Sequence, residues 1–187
     1  MMHHGDTESR EKGKGKSVKS SVFAVLLVLA AALSAQTIPH TEAETLSGRK
    51  IVLPDASAGH PAVLIVAFSR AGGDASGRWN TQLRQEFASN ENLHFYTVAV
   101  LQDAPKLVRG IIRHGMRSSI PQNEQDSFAL LYKDEGIWKK LVYFSEADDA
   151  YVLLADSTGQ VHWHTHGKAP DQQAVNVLRG ELGKLDH

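Results

Sequence analysis

Residues 62–79 read AVLIVAFSRAGGDASGRW, and this stretch decides the fold class. Its first eight residues, Ala62 to Ser69, form an apolar run of strand length, which suits a central strand covered on both faces. Beyond the glycine-containing turn the period changes. Trp79, Leu83 and Phe87 recur every four residues among Arg78, Gln82, Arg84, Gln85 and Glu86, placing one apolar stripe on a helix that ends near Ser89 and Asn90. Strand, turn and helix make the first unit of an α/β domain.

The chain downstream repeats that alternation. Leu93 to Leu101 (LHFYTVAVL) is a strand, and Asp103 followed by Pro105 is a helix-start signal. Leu107, Val108, Ile111 and Ile112 are expected to form the buried face of the next helix, with Gly115 capping its end. Arg109, Arg113, His114 and Arg117 run along or just past it, expected as charge compensation for the helix C-terminus and solvation, with a partner-binding basic face as the alternative. A polar loop is expected over Arg117 to Asp126, a short buried strand over Phe128 to Tyr132, and a helix face from Ile137, Trp138, Leu141 and Val142, favoured over an extended reading of Val142 to Phe144. Tyr151 to Ala155 is a strand, Asp156 to Gly159 (DSTG) a hairpin turn, and Gln160 to Thr165 the returning strand. Pro170 opens a last helix packed through Ala174, Val175, Leu178 and Leu182.

Upstream, Leu46 to Pro54 (LSGRKIVLP) is a turn and a short strand, so the domain is expected to span residues 45–187, with 36–44 a polar linker. Residues 1–35 have the pattern of a targeting segment. Lys12, Lys14, Lys16 and Lys19 precede an apolar run from Val22 to Leu33, and Ala31, Ala32, Ser34 and Ala35 suit cleavage near Ala35 and Gln36. The run is shorter than the roughly 20 residues a membrane span needs, so a cleaved signal is favoured over a signal anchor. Export to the periplasm or exterior is the expectation, with membrane contact only if the segment stays attached.

Composition removes several functions. The 187 residues carry 20 basic and 21 acidic side chains and a net charge of -1, which offers no basic field for nucleic acid. There is no cysteine, hence no disulfide, thiolate nucleophile, zinc-thiolate site or iron-sulfur ligation.

The order of elements, with VLIVAFS entering a loop and helix, FALLYKDEG before a further helix, and the AYVLLADSTGQVHW hairpin, resembles the thioredoxin-like superfamily, in particular its redoxin and exported thiol-disulfide branches. That resemblance spans Leu46 to Leu185. It implies a three-layer sandwich, a central mixed sheet with helices on both faces. Counted from Phe68, the family's Cys-x-x-Cys falls on Gly73, Asp74, Ala75 and Ser76, and its cis-proline on Ala150, here expected in an ordinary trans peptide. Ser76 has no base beside it and is expected to be a helix N-cap. Thiol-disulfide chemistry is therefore unavailable to this chain alone. Tyr151 to Ala169, with Asp156, Gly159, Trp163 and Gly167, is similar to the C-terminal part of redoxin-like mitochondrial ATP synthase assembly factors, which implies a membrane-associated assembly or chaperone-like role without catalysis.

A binding module is thus the first expectation, with no cofactor. Its protein or peptide partner would meet the loops around Ser69 to Ser76 and Phe144 to Ala150, through Arg70, Gly73, Asp74, Ser76 and Ala150. A metal-binding protein is the alternative. His162, His164 and His166 alternate and share one strand face, but the outer pair lie roughly 13 Å apart at about 3.3 Å per residue, so His162 and His164 would need ligands from elsewhere. The plainer expectation is a solvent-facing strand with Trp163 packed inward. Glu146, Asp148 and Asp149 read as a solvated turn.

Overall fold

The computed structural model describes residues 36–185. The targeting segment expected over residues 1–35 lies outside the described residues. Strands β1 (Thr41–Thr45) and β2 (Lys50–Leu53) precede β3 (Ala62–Ala67), α1 (Arg70–Glu86), β4 (His94–Val100), α2 (Lys106–Ser119), β5 (Phe128–Leu131), α3 (Glu135–Leu141), β6 (Ala150–Ala155), β7 (Val161–Gly167) and α4 (Gln172–Leu185). The seven strands form one sheet in the order β2-β1-β5-β4-β3-β6-β7. β3 pairs parallel with β4, and β4 parallel with β5. The remaining pairings are antiparallel, so the sheet is mixed, as expected.

Alternation along the central strands sorts the core into two layers. Val63 and Ile65 of β3, with Val152 and Leu154 of β6, pack against Trp79 and Leu83 of α1 and Val175, Leu178 and Leu182 of α4. Leu64, Val66 and Leu153 pack with Trp138 and Leu141 of α3. Every residue of β3 and of β6 is buried, which explains why both read as unbroken apolar runs.

Three expectations are corrected. Residues 36–44 are not a linker: Thr41–Thr45 is a strand of the sheet, and Ile38 is buried at 1% exposure. The sequence TEAET disguises this because its inward residues, Thr41, Ala43 and Thr45, are small or polar.

α2 begins at Lys106 after Pro105, not at Asp103, and continues through Gly115 to Ser119. Pro121 stops it, because a residue before proline is pushed from the helical region, and Ile120 is extended at φ -99° and ψ 130°. The side chain of Gln125, in the short 3-10 turn Gln122–Ser127 that replaces much of the expected loop, then donates to the carbonyls of Arg117 and Ile120.

The third correction is the orientation of α2. Leu107, Val108 and Ile111 are exposed, and no residue of the helix is buried. The arginines hold the other side inward. Arg109 donates to the carbonyls of Ala104 and Gln102 and stacks over Tyr132, while Arg113 pairs with Glu44.

Candidate functional site

β3 delivers Phe68 and Ser69 to the start of α1, and Ser69 is the N-cap. Its Oγ accepts from the Gly72 N–H at 2.9 Å and donates to the Ala147 carbonyl at 2.7 Å. The hydroxyl therefore satisfies a free helix amide and also fastens the segment before β6 onto the first turn of α1. Gly72 completes the junction: a Cβ there would lie 2.9 Å from the Asp149 carbonyl oxygen and 3.1 Å from that of Ala147.

The helix thus begins earlier than the count from Phe68 places it. Ser76 lies inside α1, buried, with its Oγ donating to the Gly73 carbonyl, and it is not the N-cap. Gly73 is half-buried, Arg70 and Asp74 are exposed, and Ala150 opens β6 opposite Gly167. The Asp149–Ala150 peptide is trans, the one cis peptide among the described residues being Leu53–Pro54. The residues at the helix N-terminus facing the pre-β6 segment are Ser69 and Gly72. A serine directly after the apolar run was the available signal for this N-cap.

An aromatic cluster adjoins the junction. The Phe68 ring meets Phe144 edge-on at 5.1 Å and Tyr151 at 5.8 Å, and Lys139 Nζ sits 4.7 Å from the Phe144 ring centre. Tyr151 shapes the segment through its hydroxyl, which accepts from the Ser145 and Glu146 N–H groups and donates to the Glu146 carbonyl. Tyr143 is held at φ +51°, 60% exposed, with its ring 5.0 Å from that of His164. The sequence reading missed Tyr143, although an aromatic pair closing EGIWKKLVYF was its signal.

β7 alternates as expected, with His162, His164 and His166 exposed and Trp163 turned toward the α1 and α4 layer. Each histidine has its own neighbour. His162 Nε2 lies 2.7 Å from Asp156 Oδ2, His166 Nδ1 lies 2.7 Å from Asp149 Oδ2, and His164 stands against Tyr143. Among the described residues no three His, Asp or Glu side chains converge as a metal-ligand set. Glu146 and Asp148 are solvated, whereas Asp149 is buried under its histidine. Asp156 is held down to about 2: its partial burial opposes ionisation, but bonds from the Thr158 hydroxyl, His162 and the Thr158 and Gln160 N–H groups outweigh it.

A strand feeding a helix N-terminus that is roofed by the segment before an antiparallel strand is the frame of a thioredoxin-type site. The family model described as ATP10 protein matches residues 22–181, most of the chain. The chain belongs to the ATP10 protein family. No curated protein sequence matches this ATP10-family chain. Among solved structures it is similar to the thioredoxin domain of a thiol-disulfide oxidoreductase from Bacteroides vulgatus, at 14% identity and TM-score 0.55 over 78% of this chain and 95% of that one. A putative thiol:disulfide interchange protein DsbE from Chlorobium tepidum matches at 18% identity and TM-score 0.53, over 81% and 96%. BsSco, a member of the Sco family of cytochrome c oxidase assembly proteins, matches at 10% identity and TM-score 0.55, over 79% and 92%. These likenesses establish a thioredoxin-like fold. With no cysteine in the sequence, the ATP10-family chain keeps the frame without the sulfur.

Proposed function

We propose that this ATP10-family chain is an exported, non-catalytic assembly or chaperone-like module, which holds a protein or peptide segment beside the N-terminus of α1 and performs no thiol-disulfide exchange. Tyr143 carries the reading. A non-glycine residue at positive φ costs of order 1–3 kcal/mol, and here the strain holds a large aromatic ring in solvent against His164, next in the chain to the half-buried Phe144 whose ring meets Phe68. Tyrosine so presented is the kind of side chain that anchors protein contacts. Family membership supports the assembly role, as does the description of BsSco. Export rests on the lysine-led apolar run of the first 35 residues.

A photo-crosslinking residue at Tyr143, with another at Arg179 on α4 for comparison, tests the proposal in the intact cell. One predominant protein adduct from position 143 and none from 179 is expected. Indiscriminate labelling from both positions, or none from either, would overturn it. Purified protein is also expected to reduce insulin no faster than dithiothreitol alone, and turnover above that background would refute the non-redox part.

A further inference from the structure

The outward face of α2 is unused by the fold. Leu107 is 95% exposed and Ile111, one turn on along the same face, 73% exposed, with Val108 beside them. The helix is held from its other side by Arg109, Arg113 and the partly buried Met116 and Ile120, which pack on Leu46, Ala99 and Leu130. Four of its 14 residues, Lys106, Arg109, Arg113 and Arg117, are cationic, and none is acidic. Lys106 stands in the first turn, at the pole where the helix dipole disfavours a cation. Among the described residues neither Lys106 nor Arg117 forms an ion pair with an acidic side chain. Stability of the domain alone accounts for neither the bare leucine nor the misplaced lysine.

We propose that α2 is an interfacial helix that docks this domain onto an anionic lipid surface, Leu107 and Ile111 entering the headgroup boundary while Lys106 and Arg117 meet the lipid charges. The chemistry matches on both counts: apolar side chains at helical spacing on one face, and flanking cations without partners. A second protein fits less well. Three exposed aliphatic side chains on one helix face fall far short of the roughly 800 Å² per partner that a stable protein interface buries. A bilayer needs no matching groove and accepts a few apolar side chains on one helix face. The contact is separate from the Tyr143 site, so either can stand without the other.

The absence of cysteine supplies the probe. In the full chain, Ser118→Cys places a single labelling point on the same face of α2, two turns beyond Ile111, without touching the apolar pair. An environment-sensitive dye there is expected to blue-shift on adding vesicles of equal parts phosphatidylglycerol and phosphatidylcholine, but not pure phosphatidylcholine. The response should weaken as salt is raised. The same dye at Arg179→Cys on α4 should not respond, which separates docking by α2 from insertion of the apolar run Val22 to Leu33. Adding Leu107→Ser and Ile111→Ser is expected to lower apparent affinity at least about tenfold while circular dichroism and Tm stay unchanged, both positions being exposed. Three outcomes would each overturn the proposal: no blue shift, a shift indifferent to the serine pair, or an equal shift at position 179. A position-118 probe that is silent to vesicles yet crosslinks one protein would assign the face to a protein partner instead.

Discussion

Gly72 has two backbone carbonyl oxygens, those of Ala147 and Asp149, where its side chain would go. A methyl group at that point has to push the pre-β6 segment off α1, straining the Ser69 Oγ bond to Ala147 as it does so. Gly72→Ala is accordingly expected to destabilise the protein by about 1–3 kcal/mol, the usual cost of overpacking a closed junction. Urea unfolding checks it: the midpoint should fall with an unchanged slope. The same crowding means that Gly72→Cys would not restore a redox site, since the sulfur would need the space that the backbone holds. At this scale the sequence was only partly legible. It exposed the missing cysteines at once, but gapless counting from Phe68 put the helix start at Gly73 to Ser76, whereas a capping serine begins the helix directly at the strand end.

The β6–β7 hairpin shows how much chemistry one element can draw from a turn. Asp156 receives three hydrogen bonds from Thr158 and Gln160 and pairs with His162, while Gly159 takes the positive φ of 84° that closes the turn against Pro54. A carboxyl whose folded pKa lies below its ordinary 3.8, at about 2, adds stability that is complete above the unfolded value and lost as pH falls through the folded one. Asp156→Ala should therefore be less stable than the parent at neutral pH. That deficit should narrow between pH about 4 and about 2, as thermal unfolding of the two proteins across the range would record. This element was readable, because DSTG between an apolar run and an alternating strand pattern is a hairpin turn. α2 was readable as a helix but not in its orientation. Periodicity places apolar residues on one face, and only the bonds of Arg109 and Arg113 to the backbone and Glu44 decide that the face turns outward.

For the molecule as a whole, the α/β class and the two helix layers followed from the buried runs of β3 and β6, whereas the start of the domain did not. Short polar strands carry little hydrophobic signal, and the buried positions of β1 are two threonines and an alanine. Ile38, just before it, joins the α3-side core with Leu53 and Ala155. Ile38→Ala is expected to cost about 2–5 kcal/mol, as for an interior isoleucine rather than a linker residue. Differential scanning calorimetry should then show a drop in Tm of the kind that an exposed arm could not produce.

The stretch before β1 also has a mechanical consequence. The Gln36 carbonyl accepts from Val161, and the Ile38 N–H donates to Gly159, so the chain is stitched to the β6–β7 hairpin before it enters the sheet. Tension applied along the backbone at Gln36 would reach these two bonds before it loaded β1. They act as a clasp more than two bonds strong, because parting them also draws Ile38 out of the core it shares with Leu53 and Ala155.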